Sequence, residues 1–328
     1  MWFSDADEGK QKLKQFDNVF DDIKQVIDYQ PHIVLVATNT VADFITGIKV
    51  QIFHGFNAQK RPVKSVGFSH FKIRGFFDLY CTQGPSTTKG FQELAEKLAY
   101  FKVVETGWSK VDPLFPIQEK TVPKDRPTIL ISSTFTEKLS LAYNQQLYTE
   151  IQRLIQTKQF DFMLILHPKM EQHIINKWQK LCCDNFNYYD TTDLNPLFKK
   201  ADILLADTTS AIQEFILQRK PAIAFNNKNN HNYLINIKRV SQLEKALKLD
   251  IANLDEIYHH MNQFIQQLHP YNDGKSSLRI IDESIKFLHA DKQNLKSKPL
   301  NLNRKFNVRK RLGHFTFHTY NRAFTLKK

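Results

Sequence analysis

Short apolar runs rich in β-branched residues alternate along this chain with longer amphipathic stretches. That alternation is typical of parallel β-sheets covered by helices, and it predicts an α/β architecture. The predicted strands are His32–Ala37, Lys49–Phe53, Leu79–Thr82, Lys102–Glu105, Thr128–Ser132, Phe162–Leu166, Ile203–Ala206 and Ala222–Phe225. The predicted helices are Gly9–Tyr29, Thr87–Leu98, Leu139–Gln156, Met170–Cys182, Ser210–Gln218, Ser241–Leu247, Leu254–Leu268 and Ser276–His289.

The length of the chain and one proline-rich segment predict two domains. The 328 residues suffice for about two domains of roughly 150 residues each. Four prolines interrupt Asp112–Pro127, where we place an extended crossover between the domains. The predicted division is an N-terminal domain at residues 1–120, a C-terminal domain at 121–290 and a tail at 291–328.

The charge balance and the cysteines constrain the surroundings of the protein. Lys and Arg outnumber Asp and Glu 46 to 33, which indicates an anionic partner such as phosphate, acidic lipid or nucleic acid. The three cysteines include the vicinal pair Cys182 and Cys183, which favours a reducing cytoplasm. We expect neither a secretory signal nor a transmembrane span, so any membrane contact would be peripheral.

The composition changes after His289. Residues 291–328 contain eleven Lys or Arg and a single acidic residue. Five aromatic side chains lie between these cations: Phe306, Phe315, Phe317, Tyr320 and Phe324. Cations mixed with aromatic rings suit an anionic membrane interface, where the rings bury at headgroup depth. The alternatives are a solvated basic tail and a nucleic-acid-binding tail, although no recognisable nucleic-acid module accompanies it.

Two predicted strands run directly into a histidine. Val50–Phe53 leads into His54, and Phe162–Leu166 leads into His167, which Lys169 follows two residues later. Ligands of open α/β folds bind at the carboxyl edge of the sheet, where both histidines are expected. There His54 can take a proton from a hydroxyl, while His167 and Lys169 can hold a pyrophosphate. The alternative for each histidine is a packing or hydrogen-bonding role.

A third strand is followed by hydroxyl side chains. Ile203–Ala206 leads into Asp207, Thr208, Thr209 and Ser210, after which a helix is predicted. The free N–H groups at the start of a helix bind phosphate without a glycine-rich loop. The alternative is that Thr209 or Ser210 only caps the helix.

A turn precedes the last predicted helix. Tyr271–Gly274 leads into Lys275 and Ser276, and Arg279 follows within the helix. These polar groups could reach phosphate, but Asp-Gly turns are common, so that the spacing alone is weak evidence.

In this order, the segments resemble the CDP-glycerol glycerophosphotransferase family, whose enzymes prime and polymerise teichoic-acid-like chains of glycerol phosphate. The resemblance covers roughly Ile33 to Leu288. The motifs that carry it are His54-Gly55, Thr106-Gly107-Trp108-Ser109-Lys110-Val111-Asp112, His167-Pro168, Asp207-Thr208-Thr209-Ser210 and Asn272-Asp273-Gly274-Lys275-Ser276-Ser277. The chain departs from the family pattern after His54-Gly55, where Phe56 and Asn57 replace Thr and Pro, and at Trp108, where the family often has Asn.

The resemblance implies a GT-B fold, in which two Rossmann-like domains with parallel sheets face each other across a cleft. It also implies that an acceptor hydroxyl attacks the β-phosphorus of CDP-glycerol and expels CMP. His54 would be the base, and His167, Thr209 and Ser210 would stabilise the pyrophosphate. Further donor contacts are expected at Gly55, Lys169, Asp207, Thr208, Lys275 and Ser276. Acceptor or membrane contacts are expected at Lys60, Arg61, Lys64, Arg309, Lys310 and Arg311.

We therefore predict a glycerophosphotransferase, or a related enzyme that uses another CDP-polyol, acting at the inner face of the cell membrane. Its acceptor would be a lipid-linked or polymeric molecule of the cell wall or capsule. No metal site and no required cofactor are predicted, although Mg²⁺ could screen the pyrophosphate, and nucleic acid is not expected as a partner. The alternatives are a GT-B glycosyltransferase that uses a nucleotide sugar and a non-catalytic protein that binds the membrane surface. The basic aromatic tail, by suggesting a membrane-bound acceptor, disfavours a sugar-nucleotide epimerase.

Overall fold

The computed structural model describes residues 1–56, 72–117, 126–207, 210–227 and 230–326. The strands, in chain order, are β1 (Ile33–Val36), β2 (Ile48–Gln51), β3 (Leu79–Thr82), β4 (Lys102–Glu105), β5 (Thr128–Ser133), β6 (Asp161–Leu166), β7 (Phe186–Tyr188), β8 (Ile203–Ala206), β9 (Ala222–Phe225) and β10 (Ile235–Ile237). The α-helices are α1 (Asp7–Leu13), α2 (Ile23–Tyr29), α3 (Pro85–Leu98), α4 (Gln145–Gln156), α5 (Gln172–Gln179), α6 (Asn195–Lys200), α7 (Ala211–Ile216), α8 (Leu243–Leu247), α9 (Leu254–Leu268), α10 (Ser276–His289) and α11 (Leu302–Leu312).

The strands form two parallel sheets. The first has the order β1-β2-β3-β4 and the second the order β10-β9-β8-β5-β6-β7. In the second sheet the carboxyl ends of three strands lie side by side, since Ser132 pairs with both Ile165 and Ala206. Side chains that follow β5, β6 and β8 therefore start from one edge of the sheet.

Most predicted elements are present, and the differences have local causes. The predicted helix Gly9–Tyr29 is divided into α1 and α2, because the Asp22 side chain accepts hydrogen bonds from the N–H groups of Lys24 and Gln25 and starts a new helix. Asn144 caps the start of α4 in the same way, and the residues before it form short 3₁₀ turns. The strands β7 and β10 and the helices α6 and α11 are not among the predicted elements.

The described residues form two compact units, each built around one sheet. Unit 1 consists of the described residues within Met1–Gly55, Val63–Ser109 and Lys275–Lys328. Unit 2 consists of the described residues within Phe56–Pro62 and Lys110–Gly274. This division differs from the predicted one, which places α10 in the C-terminal domain and the tail apart from both domains. The physical reason is packing, because Ile280, Phe287 and Leu288 of α10 join the buried side chains of β2 and β3.

The tail is folded onto unit 1 through buried cations. Lys292, Lys298, Lys305 and Arg309 are all buried. The Nζ atom of Lys298 lies 2.7 Å from Oδ1 of Asp78, and Arg309 donates to both carboxylate oxygens of Asp43 at 2.6 and 3.1 Å. A buried charge is costly without such a partner. The prediction that Arg309 contacts a membrane or an acceptor is therefore corrected, since its guanidinium is held inside the protein.

Candidate functional site

His54 follows the carboxyl end of β2 in unit 1. Phe53 has a φ of 60°, which turns the chain out of the strand, and His54 is exposed. Its Nδ1 atom lies 3.0 Å from the carbonyl oxygen of Ala37. Because a carbonyl oxygen can only accept, Nδ1 carries the proton and Nε2 of the neutral ring does not. His54 thus presents a proton acceptor, which is the arrangement that a general base requires.

Two buried side chains hold the backbone on either side of His54. The indole N–H of Trp108 donates to the carbonyl oxygen of Phe53 at 3.4 Å, and Nε2 of Gln83 donates to the carbonyl oxygen of Gly55 at 2.9 Å. Trp108 belongs to the predicted motif at Thr106–Asp112, where it departs from the family pattern, whereas Gln83 is not among the predicted site residues. The signal for Gln83 was its position, since it directly follows β3 at the edge where β2 also ends.

His167 follows the carboxyl end of β6 in unit 2, where it is exposed. The backbone N–H of Lys169 donates to its Nδ1 atom at 3.0 Å. Nδ1 is therefore unprotonated, and Nε2 carries the proton of the neutral ring. The ring of Phe135 packs beside the imidazole with a centroid distance of 4.5 Å. His167 thus presents a hydrogen-bond donor, and the ammonium group of Lys169 is exposed two residues later.

Asp207, at the end of β8, orders the loop that follows β5. It is only 1% exposed, and its carboxylate accepts from the hydroxyl of Ser133 at 2.7 Å. It also accepts from the N–H groups of Thr134 and Leu141 at 3.0 and 3.1 Å. Because these bonds enclose the carboxylate in protein, we assign Asp207 a positioning role and correct its prediction as a donor contact.

The start of α7 is only partly described. Thr208 and Thr209 lie outside the described residues. Ser210 precedes the helix, and its side chain makes no capping hydrogen bond, so the capping alternative does not hold for this residue. Within α7, the buried Glu214 accepts from Nζ of Lys110 at 2.8 and 3.0 Å. That ion pair, which the sequence did not predict, fixes one residue of the motif at Thr106–Asp112.

The turn before α10 is shaped by Gly274. Its φ is +65°, and a Cβ atom there would lie 2.9 Å from the carbonyl oxygen of Asp112, so glycine is required. The carbonyl oxygen of Lys275 accepts from the N–H of Arg279 at 3.1 Å. Ser276 is 1% exposed, and its hydroxyl accepts from the Arg279 guanidinium at 3.3 Å. The prediction of Ser276 as a donor contact is corrected, because its hydroxyl is enclosed.

The remaining predicted contacts are basic. Lys60, Arg61 and Lys64 lie outside the described residues. Lys310 is exposed, whereas Nε of Arg311 lies 2.5 Å from a carboxylate oxygen of Asp5. In the part of the chain that the structure describes, no three His, Cys, Asp or Glu side chains cluster as metal ligands would. Every described helix falls short of the length and apolar character needed to span a bilayer.

A family comparison matches residues 55–234, which is just over half of the chain. The family is described as CDP-glycerol:poly(glycerophosphate) glycerophosphotransferase. The chain belongs to this family. The resemblance derived from the motifs is thereby confirmed, and the matched range includes His167 and the motif at Asp207–Ser210.

Solved structures resemble the chain at low sequence identity. A variant of the wall teichoic acid polymerase TagF is 14% identical, with a TM-score of 0.55 over 78% of this chain and 73% of that one. The same polymerase soaked with CDPG is 17% identical, with a TM-score of 0.52 over 78% of this chain and 72% of that one. A protein described as a UDP-N-acetylglucosamine 2-epimerase from Listeria monocytogenes is 15% identical, with a TM-score of 0.56 over 86% of each chain. A sequence search among curated proteins finds no match. These likenesses confirm the predicted GT-B fold class.

Proposed function

We propose that the protein transfers glycerol phosphate from CDP-glycerol to a hydroxyl group of an acceptor and releases CMP. The observation that carries the proposal is the hydrogen bond from Nδ1 of His54 to the carbonyl oxygen of Ala37. It leaves Nε2 as the proton acceptor at the carboxyl edge of a parallel sheet, the edge at which such folds bind ligands. Family membership supports CDP-glycerol as the donor.

In the proposed reaction, Nε2 of His54 takes the proton of the acceptor hydroxyl. The hydroxyl oxygen then bonds to the β-phosphorus of the donor, and the bond from that phosphorus to the oxygen of CMP breaks. The products are a phosphodiester and CMP, and the proton remains on His54 until it passes to water. General-base assistance of this kind contributes about 10²–10⁴-fold to a rate.

Unit 2 supplies the groups that neutralise charge on the donor in this proposal. The Nε2–H of His167 donates to a phosphate oxygen, and the exposed ammonium group of Lys169 adds a positive charge beside it. Phosphoryl transfer depends mainly on positioning and on such neutralisation. Asp207 contributes indirectly, by holding the loop after β5.

A membrane-bound acceptor is the partner that the surface of unit 1 favours. The tail exposes Phe306, Phe315 and Phe317, and Lys310 is exposed among them. Exposed rings beside cations suit an anionic bilayer. We expect the protein to sediment with vesicles that contain anionic lipid, and a variant with Phe315→Ser and Phe317→Ser to sediment less. Equal sedimentation of the two proteins would contradict this partner.

The proposed function is tested by CMP release from CDP-glycerol by the purified protein, with and without an acceptor that carries glycerol phosphate. We expect acceptor-dependent release by the wild type, which His54→Ala removes without changing the affinity for CDP-glycerol. Turnover of another CDP-polyol or of a nucleotide sugar, with CDP-glycerol inert, would replace the donor. Absence of turnover with every donor would contradict an enzymatic function and favour a protein that only binds the membrane surface.

A further inference from the structure

The strand β1 forms one edge of the sheet in unit 1, and its outer side is open. On its inner side, the carbonyl oxygen of Val36 accepts from the N–H of Ile52 at 2.9 Å, in the ladder with β2. Because backbone groups alternate in direction along a strand, the N–H and C=O groups of Ile33 and Leu35 point away from β2. Among the described residues, none forms a hydrogen bond with these four groups.

The residues of β1 do not protect this edge. Natural edge strands are commonly shielded by lysine, proline or a bulge, which prevent pairing with another chain. All four residues of β1, Ile33–Val36, are apolar, whereas β4, at the other edge of the same sheet, begins with Lys102 and ends with Glu105. The side chain of Leu35 is 43% exposed. An exposed apolar edge of this kind is a template for a further strand.

The tail comes near β1 without pairing with it. Phe324 packs with Ile33 against the apolar cluster beneath α10, and its ring stacks on His32 with a centroid distance of 5.7 Å. No described residue of the tail forms a hydrogen bond with the backbone of Ile33 or Leu35. The outer side of β1 is thus left to a strand from elsewhere.

An apolar stripe on α10 lies on the same side of unit 1 as this edge. Leu278, Ile281 and Ile285 are 56%, 45% and 45% exposed. Arg279 marks the opposite flank of the helix, because its Nε atom donates at 2.8 Å to the carbonyl oxygen of Thr106, just beyond β4. At 3.6 residues per turn, the stripe lies about 200–260° around the helix from Arg279, past the face that packs on the sheet. The stripe therefore faces the β1 edge.

The outer groups of β1 are complementary to those of an identical strand. A two-fold axis at Val34 would place Ile33 of one copy opposite Leu35 of the other, so that all four outer groups of each strand are bonded. The cross-strand neighbours are then apolar on both faces of the sheet, which stabilises antiparallel pairs. Because such an axis is perpendicular to the sheet, both α10 helices lie on one face, with their stripes directed towards each other. An unrelated strand would satisfy the backbone but would not bring a second stripe.

We propose that two copies of this chain form a dimer in which the β1 strands pair antiparallel across a two-fold axis and join the two sheets into one. The dimer surface consists of Ile33, Leu35 and the α10 stripe of Leu278, Ile281 and Ile285. It includes none of the side chains to which the proposed function assigns a role. Dimer and transferase activity can therefore be tested separately.

Sedimentation equilibrium of the full chain tests the dimer. We expect the wild type to have the mass of two chains, with dissociation on dilution. Leu35→Lys and Ile281→Lys each place a charge in the apolar surface and should raise the dissociation constant about tenfold or more. Leu300→Lys adds the same charge at a leucine of unit 1 that is 67% exposed and lies outside the surface, so it should have no effect. A wild type that stays monomeric at every concentration would overturn the proposal, as would dissociation constants unchanged in Leu35→Lys and Ile281→Lys.

Disulfide cross-linking tests the register of the two strands. At Val34 the two copies would form a non-hydrogen-bonded pair with Cα atoms about 4.5 Å apart, a separation that a disulfide can span. Val34→Cys should therefore link two chains under mild oxidation, in a background where the exposed Cys182 and Cys183 are replaced by serine. Leu35→Cys is the matched control, since its two copies would lie on a diagonal about 7–8 Å apart, too far for an unstrained disulfide. Equal cross-linking of the two variants would contradict the proposed pairing.

Hydrogen exchange on the wild type keeps the test independent of how the variants fold. The N–H groups of Ile33 and Leu35 should exchange more slowly at protein concentrations where the dimer forms than at those where the monomer prevails, because only the dimer bonds them. The N–H groups of β4, at the opposite edge, should exchange at rates that do not depend on concentration. The same independence at Ile33 and Leu35 would show that β1 is not the dimer surface.

Discussion

Two strands of this protein run into a histidine, and the two rings offer opposite hydrogen-bonding atoms. After β2, Nδ1 of His54 donates to the carbonyl oxygen of Ala37, so Nε2 is an acceptor. After β6, Nδ1 of His167 accepts from the N–H of Lys169, so Nε2 is a donor. The chemistry of a histidine is thus decided by the group that its other nitrogen meets.

The local backbone explains the difference. At His54 the left-handed conformation of Phe53 turns the chain out of β2, and the ring bonds to a carbonyl at the end of β1. At His167 the next residue is Pro168, which has no N–H, so the first donor available beyond the histidine is Lys169. The comparison predicts that glutamine, whose amide N–H groups donate but cannot take up a proton, can partly replace His167 and cannot replace His54.

The largest effect is expected at His54. In His54→Gln the amide can still bond to the Ala37 carbonyl, but it cannot take up a proton. We expect kcat to fall about 10²–10⁴-fold, with the affinity for CDP-glycerol unchanged. Single-turnover CMP release and calorimetric titration of the donor measure the two quantities. A rate within a few-fold of the wild type would show that His54 is not the base.

A smaller effect is expected at His167, and there glutamine should partly restore function. His167→Leu removes the donor, and we expect a loss of about 10–100-fold, the equivalent of one hydrogen bond to a charged group. His167→Gln supplies an amide N–H and should lie between the leucine variant and the wild type in the same assay. If glutamine were no better than leucine at this position, the contrast between the two histidines would fail.

The spacing of apolar residues and the capping residues along the sequence predicted the bounds of several strands and helices correctly. The bounds of β3, β4, β8, β9, α9 and α10 agree with the predictions. The edge strands β7 and β10 have only three residues each, too few for a period to be recognised. Both histidines were found because they follow recognisable strands, but their tautomers were not, because the deciding partners are backbone atoms.

The tail shows the limit of reading composition alone. Eleven cations in a short segment indicate exposure, yet Arg309 is buried against Asp43, which lies 266 residues away in the chain. No local pattern identifies so distant a partner. The positioning role of Asp207 is not predictable from local sequence for a similar reason, since its partners lie at the end of a different strand, β5, and in the loop after it.

Different side chains hold the backbone at the two sheet edges that carry His54 and His167. We therefore expect substitutions of Gln83, at the first edge, and Asp207, at the second, to lower the free energy of unfolding by different amounts. The carboxylate of Asp207 accepts hydrogen bonds from Ser133, Thr134 and Leu141. Asp207→Asn replaces one carboxylate oxygen with an amide nitrogen that faces these donors. We expect the free energy of unfolding to fall by about 1–3 kcal/mol. In contrast, Oε1 of Gln83 is buried without a hydrogen-bond partner among the described residues. Gln83→Leu, the matched control, removes that oxygen together with one good bond and should cost little. Urea unfolding measures the free energy of unfolding of both variants. Equal decreases in Asp207→Asn and Gln83→Leu would contradict the predicted difference between the two edges.

The interiors of the two strands that lead to the histidines also differ. β6 is apolar from Phe162 to Leu166, whereas β2 contains Lys49, which is 2% exposed. Its ammonium group donates to the carbonyl oxygens of Ile45 and Gly47 at 2.5 and 2.8 Å. Burial and the charge of Lys298 lower the pKa of Lys49 from 10.5 to about 7, although Asp78 and Asp43 act in the opposite direction.

The lowered pKa gives unit 1 a pH dependence of known sign. Between about 7 and 10.5 the unfolded chain binds this proton more tightly than the folded protein does, so the free energy of unfolding should rise with pH. Below about 7 both states are protonated, and the cost of burying the charge is present in full. Lys49→Met should remove this rise, so that its stability relative to the wild type is greatest at low pH and declines towards pH 10.5. Urea unfolding across this range measures the change, with Lys296→Met as the exposed control. A difference that does not vary with pH would show that Lys49 stays charged in the folded protein, because the carbonyl oxygens around it then compensate fully for its burial.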